Sequence, residues 1–150
     1  MRIAFAADHR GFALKEQLKA AAAEWGHEVL DLGTDDGARS CDYTDFGRAA
    51  AETVAAGKAA RGVLVCATGI GMSILANKIP GIRAALCWSV YMARLTRQHN
   101  DANVIVFSGD QTGFRYGREM LQVWLETEFE GGRHERRLEK IKTIERDYGK

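Results

Sequence analysis

Val63-Leu64-Val65-Cys66-Ala67-Thr68-Gly69-Ile70-Gly71-Met72-Ser73 passes from an unbroken apolar stretch into a cysteine and then at once into a glycine-rich turn. A short apolar run bounded by such a turn reads as a strand buried on both faces, and the residues after the turn read as the start of a helix. A helix start carries unpaired N–H groups and a partial positive charge, which together hold anions and favour thiolates. Gly69 and Gly71 let the chain turn and let a ligand approach without meeting a Cβ. The stretch therefore fits an acid–base cysteine facing a developing oxyanion. It also fits a buried cysteine followed by an ordinary turn, since cysteine is among the most buried residue types.

On either side the same alternation recurs. Apolar runs at Arg2–Ala7, Glu28–Leu32, Gly62–Cys66, Arg83–Cys87 and Asn103–Phe107 read as buried parallel strands. Between the first two, Phe12, Leu14, Leu18, Ala22 and Trp25 recur at helical spacing until Gly26 stops the helix. Further helices are expected over Tyr43–Ala56, Ile70–Lys78, Ser89–His99 and Thr112–Glu128. Five βα units predict an α/β fold, a three-layer α/β/α, Rossmann-like sandwich around a five-stranded parallel sheet, with right-handed crossovers. After Glu130-Gly131-Gly132 an extended C-terminal helix is expected over about 133–147, highly charged, with a thin apolar stripe at Leu138, Ile141 and Ile144. That stripe needs cover, either from a second subunit or from its own domain.

Composition narrows the class. The 150 residues suit one domain, 1–150, with a substantial core, and 46% apolar with 27% charged residues is the balance of a globular chain. A formal charge of +1 gives no general pull toward nucleic acid or an acidic membrane. Ile3–Ala7 is too short for a signal-peptide core, and no apolar run approaches the ~20 residues of a membrane span, so a cytoplasmic location is expected. Cys41, Cys66 and Cys87 are odd in number and form no CxxC pair, which speaks for reduced thiols rather than a disulfide framework or a zinc ribbon.

Ligands of open parallel sheets bind beyond the carboxyl ends of the strands. Asp8-His9 follows strand one, Cys66-Ala67-Thr68 follows strand three, and His99-Asn100 comes just before strand five; all three are assigned to that edge. Asp8-His9 can bind sugar hydroxyls or move protons near neutrality, and His99 is a second candidate acid or base, while His27 and His134 lack comparable context. Arg133 and Arg137, four apart on one helical face, suit a phosphate, or else form a solvated basic face. A metal set from Asp8, His9, Cys66 and His99 matches no recurring zinc spacing, so no metal is expected. Gly69-Ile70-Gly71 begins like a dinucleotide fingerprint, but Ile74 replaces the third glycine and no acidic residue follows about twenty positions on. No Gly-Lys-Ser/Thr follows for a phosphate-binding loop of the nucleotide type.

Taken together, Asp8-His9-Arg10-Gly11-Phe12, the Cys66–Ser73 turn, Ala76-Asn77-Lys78, Gly81-Ile82-Arg83-Ala84, Arg97-Gln98-His99-Asn100-Asp101 and Glu130-Gly131-Gly132-Arg133-His134 resemble the ribose/galactose isomerase family, that of the type B ribose-5-phosphate isomerases. The likeness spans nearly the whole chain. It implies an aldose–ketose isomerase that works without metal or cofactor, interconverting D-ribose 5-phosphate and D-ribulose 5-phosphate. Relatives act on galactose 6-phosphate, allose 6-phosphate or tetrose phosphates, so another aldose phosphate is the nearest alternative and a non-catalytic sugar-phosphate-binding subunit the next. By resemblance Cys66 is the base that moves a proton from C2 to C1 through a cis-enediolate, and Thr68 shuttles the proton between O1 and O2. The amides of Ala67, Gly69, Ile70, Gly71 and Ser73 hold the enediolate oxygen. His99 protonates the ring oxygen, and Asp8 assists binding. His9, Arg133 and Arg137 hold the phosphate, and Tyr43 and Asn100 lie near the sugar. The resemblance also implies a homodimer or homotetramer whose active site is shared between subunits, the C-terminal helix packing on the partner. Cys66 with Leu75 on the next helix places the chain in the branch using cysteine, not the one using serine with a helical glutamate. Two residues depart from the family pattern: Ala67 replaces a glycine, and Asp110 stands near a position that often holds a phosphate-binding arginine, where a lone carboxylate opposes a phosphate.

Overall fold

The computed structural model describes residues 1–149. Its elements run β1 (Arg2–Ala7), α1 (Phe12–Glu24), β2 (Glu28–Asp31), α2 (Tyr43–Ala55), β3 (Arg61–Cys66), α3 (Ile70–Ala76), β4 (Ala84–Leu86), α4 (Val90–Asn100), β5 (Val104–Ser108), α5 (Phe114–Glu126) and α6 (Arg133–Tyr148). The five strands form one parallel sheet in the order β2-β1-β3-β5-β4. The expected three-layer architecture and the long terminal helix are both present.

The core explains why the apolar runs read as they do. Along β1, β3 and β5 alternate side chains point to opposite faces, and both faces are covered. Ile3, Phe5, Val63, Val65, Ile105 and Phe107 meet Leu14, Leu18, Met120, Leu121 and Trp124 of α1 and α5 on one side. Ala4, Ala6, Leu64, Cys66, Val104 and Val106 meet Ala50, Val54, Met72 and Ala76 of α2 and α3 on the other. The small alanines of β1 let α2 sit close to the sheet.

The two outer strands depart from the expectation. β2 and β4 lie at the sheet edges and are half-buried or exposed rather than buried on both faces. β4 is also shorter, because the Arg83 amide turns away to Asn103 Oδ1 at 2.8 Å and the Arg83 guanidinium reaches the Asp101 carboxylate at 2.9 Å. α3 stops at Ala76 instead of Lys78: the Asn77 side-chain amide donates to the carbonyls of Ser73 (2.9 Å) and Ala84 (2.8 Å) and accepts from the Ala84 amide (2.9 Å), diverting the chain into β4. α5 begins two residues late, at an extended Gly113, and ends where the Thr127 hydroxyl donates to the Val123 carbonyl at 2.6 Å.

α6 lies over the β4 side of the sheet. Leu138 is buried on its own chain, whereas Ile141 and Ile144 remain exposed along a cavity of about 580 Å³ bordered by Pro80, Ile82, Arg83 and Ala102. Among the described residues no helix is long and apolar enough to cross a membrane.

Candidate functional site

Strand order places the chemistry. From β1 the chain moves outward to β2, and from β3 it moves to the opposite side, so the crevice lies between the carboxyl ends of neighbouring β1 and β3. Asp8 and His9 leave β1 at that point, and Cys66 ends β3 there. Asp8, only 6% exposed, accepts the Arg10 and Gly11 amides on one carboxylate oxygen at 3.0 and 2.9 Å, shaping the turn. Its other oxygen has no hydrogen bond among the described residues. His9 Nδ1 accepts the Cys41 amide at 3.2 Å, which assigns the ring proton to Nε2 and leaves it free to donate.

Cys66 is 4% exposed and pairs in register with Ser108 of β5. The chain after β5 clamps the chain after β3. The Gly109 amide donates to the Cys66 carbonyl (2.8 Å), and the Asp110 amide and Ser108 hydroxyl both donate to the Ala67 carbonyl (3.0 and 2.7 Å). Beyond Ala67, Gly69 caps α3 with φ +78°, and a Cβ there would lie 2.4 Å from Leu86 Cδ1. Thr68 is exposed, and its hydroxyl accepts the Ile70 amide at 3.3 Å. Gly71 faces Tyr43, whose ring and hydroxyl would meet a Cβ at 2.6–2.9 Å. Asp8, His9, Tyr43, Cys66, Ala67, Thr68 and the first residues of α3, through Ser73, thus gather at one end of the sheet. Of the other cysteines, Cys41 lies with its sulfur 3.9 Å from His9, while burial, opposed by a hydrogen bond from Thr96, pushes the Cys87 thiol up to about 12 and removes it from the chemistry.

His99 and Asn100 are elsewhere, correcting the sequence expectation. They end α4, and α4 returns to the amino end of β5, so they sit a strand length away from Cys66, on the order of 15 Å at ~3.3 Å per residue. The same geometry removes the metal set that combined His99 with Asp8, His9 and Cys66. The sharp exit from α4 uses Asp101 at φ 44°, its carboxylate bridging Arg83 at 2.9 Å and Arg97 at 2.7 Å. At this end His99 joins the start of α6, where Arg133 and Arg137 are exposed on one face.

Two residues here escaped the sequence reading. His134, only 4% exposed, stacks flat on His99, with ring centroids 4.2 Å apart and planes 5° from parallel. Glu130 brings its carboxylate to 3.8 Å from His99 Nε2 and 3.7 Å from His134 Nε2, its own amide tied to the Gln98 carbonyl at 3.1 Å. Burial, then His99, Arg133 and Arg137, hold the His134 imidazole below its ordinary pKa against the opposing pull of Glu130. The donors His99, Glu130 and His134 lie within 4.8 Å of one another. Arg133 Nε donates to His134 Nε2 at 3.4 Å, so the lone pair of that nitrogen is already in use. A Glu four residues before a His, beside a Gly-Gly break, was the available signal.

The chain therefore carries two polar clusters at opposite ends of one sheet. Residues 3–141 match the model of the family described as Ribose/Galactose Isomerase. The chain is similar to ribose-5-phosphate isomerase B of Escherichia coli, 44% identical over 144 residues that cover 96% of each chain. Its fold superposes on a ribose-5-phosphate isomerase B from Clostridium thermocellum with a TM-score of 0.96 at 44% identity, covering 99% of both chains. It also superposes on ribose-5-phosphate isomerase B from Mycoplasma genitalium with bound ribulose-5-phosphate, with a TM-score of 0.92 at 36% identity, covering 97% of this chain and 96% of that one. With the family model matched over residues 3–141 and the fold matched along almost its whole length at 44% identity, the chain belongs to the ribose/galactose isomerase family.

Proposed function

We propose that this chain is an aldose–ketose isomerase interconverting D-ribose 5-phosphate and D-ribulose 5-phosphate. The observation that carries the reading is Cys66 at the crevice between β1 and β3, followed at once by a turn whose glycines let Leu86 and Tyr43 pack against the start of α3. The Cys66 thiolate takes the proton from C2 of the open-chain aldose. The C–H electron pair becomes the C1–C2 double bond of a cis-enediolate, and the thiol then returns the proton to C1. Thr68 passes the hydroxyl proton between O1 and O2. The amides of Ala67 to Ser73 stabilise the oxyanion where charge develops. His9 donates from Nε2 to the phosphate, and Tyr43 borders the sugar.

His99, Asn100, Arg133 and Arg137 enter from a second copy. The two clusters of one chain are too far apart to share a substrate, and a two-fold pairing that brings one end of each chain to the other end of its partner completes two sites at once. Ile70 at 54% and Ile74 at 59% exposure, next to the Cys66 turn, together with exposed Ile141 and Ile144 on α6, supply apolar surface for that contact and support a homodimer, or a tetramer built from it. In the completed site His99 protonates the ring oxygen, and Arg133 and Arg137 take the phosphate.

The test is C2 proton exchange with solvent deuterium, followed by NMR, in wild type and in Cys66→Ala. Exchange is expected in wild type and lost in the variant, with the fold and phosphate binding retained. Equal exchange in the variant removes Cys66 from the mechanism, and binding without exchange in wild type makes the chain a non-catalytic subunit. The ratio of kcat/KM for ribose 5-phosphate to that for erythrose 4-phosphate and allose 6-phosphate fixes the sugar.

A further inference from the structure

Arg10 and Asp110 face each other across the mouth of the Cys66 crevice. Arg10 follows His9 on the loop after β1, and Asp110 lies on the loop after β5, its amide bonded to the carbonyl of Ala67 at 3.0 Å. The guanidinium meets the carboxylate edge-on, Nη2 to Oδ2 at 2.7 Å and Nε to Oδ1 at 3.3 Å. Both side chains are open to solvent, 56% and 33% exposed. An exposed pair of this kind adds little to folding stability. Nor is it needed to shape the loops, because Asp8 already fixes the Arg10 amide and the Cys66 and Ala67 carbonyls already fix residues 109 and 110.

What the pair does is aim a cation. Asp110 occupies the Nε–Nη2 edge of the guanidinium, while Nη1, with its two N–H groups, has no partner among the described residues. A guanidinium presents more than one forked edge, and the second is the kind that takes a phosphate. We propose that Arg10 is a specificity-determining residue for the phosphate end of the substrate, its open Nη1 side donating to a phosphate oxygen, and that Asp110 is its positioning residue. Asp110 then does not repel the phosphate, because its charge is met by the guanidinium it holds. This rests on the sugar-phosphate reading above and adds to it a phosphate contact from the same protomer as Cys66.

The experiment uses wild type, Arg10→Ala, Arg10→Lys, Asp110→Ala and the Arg10→Ala/Asp110→Ala double variant. Two quantities are read on each: kcat and KM for ribose 5-phosphate, and the dissociation constant of inorganic phosphate by calorimetry. Arg10→Ala is expected to raise both KM and the phosphate dissociation constant by about tenfold or more, with kcat changed less than about twofold, as for loss of one charge-assisted hydrogen bond. Arg10→Lys recovers part of the loss, and the double variant stays as weak as Arg10→Ala. A double variant that returns to wild-type values overturns the proposal, because Arg10 would then only cancel Asp110. Unchanged KM and phosphate affinity in Arg10→Ala overturn it as well. Should wild type turn over no ribose 5-phosphate, the sugar assignment fails by itself and the calorimetric comparison still decides the role of Arg10.

Discussion

Gly69 concentrates the demands of the Cys66 turn in one position. Its φ of +78° is one that side chains with a Cβ rarely adopt, and the space is closed as well, with Leu86 Cδ1 at 2.4 Å and the Phe107 carbonyl oxygen at 3.0 Å from where a Cβ would stand. Gly69→Ala is expected to lower stability by about 1–3 kcal/mol, read from the urea midpoint, and to reduce kcat by shifting the amides that follow. A variant with wild-type midpoint and rate would show that the turn adapts freely. At this scale the sequence was most informative where contacts are local. Cys66, Gly69 and Gly71 lie within six residues, so their spacing already described a strand, a turn and a helix start. The proton position on His9 was not legible, because it is set by the amide of Cys41, thirty-two residues away. His134 was passed over for the same reason, since only folding stacks it on His99.

Among the elements, α1 and β2 are joined by a fully buried lysine. Lys15 Nζ donates to both Asp31 oxygens at 2.9 and 2.8 Å and to the Thr34 carbonyl at 2.7 Å, with the Phe12 ring centroid 5.4 Å away. Burial alone would raise the Asp31 carboxyl, but hydrogen bonds from Lys15, Lys19 and the Gly33 amide hold it below its ordinary pKa. β2 is an edge strand of only four residues, so this cluster fastens it and the following loop, which carries Cys41 toward His9. Lys15→Ala leaves the Thr34 carbonyl without a donor and Asp31 with Lys19 as its remaining cation, at an expected cost of about 2–4 kcal/mol by urea unfolding. Lys15→Met, which refills the volume, is expected to cost less. A loss below ~0.5 kcal/mol in Lys15→Ala would show that Lys19 replaces it. The existence and kind of every element followed from apolar periodicity, and the inner strands followed almost to the residue, because burial on both faces leaves an unbroken apolar run. The ends did not follow, since they are decided by single polar side chains such as Asn77 and Arg83, whose partners lie across a crossover. Placing His99 beside Cys66 failed at this scale too: sequence position before strand five means the amino end of the sheet, not the carboxyl end.

For the molecule as a whole, two histidines tie stability to pH. His134 is held below its ordinary pKa by burial and by His99, Arg133 and Arg137, and His27 by burial and the amino terminus. Unfolding returns both to about 6.5. Between the folded and unfolded values the unfolded chain binds more protons, so stability rises with pH there. Their contribution is complete above about pH 6.5 and is lost as pH falls through the folded values. The urea midpoint is therefore expected to drop between roughly pH 7 and 5, with a flatter slope in His134→Gln; an unchanged slope would assign the effect to other groups. The larger consequence is the separation of the two clusters. If each site takes Cys66 from one chain and His99 from its partner, Cys66→Ala and His99→Ala variants are each inactive alone but complement when refolded together. In the mixed dimer one site carries both substitutions and the other carries neither, so one of its two sites works. Random pairing makes half of the dimers mixed, and total activity should return to about a quarter of wild type. Recovery near that level, absent when the two variants are mixed without exchange of subunits, requires a site built from two chains. No recovery in demonstrably mixed dimers would mean that His99 serves the Cys66 of its own chain after a rearrangement, and the shared-site reading would be abandoned; a His99→Ala variant active by itself would show that His99 is not needed.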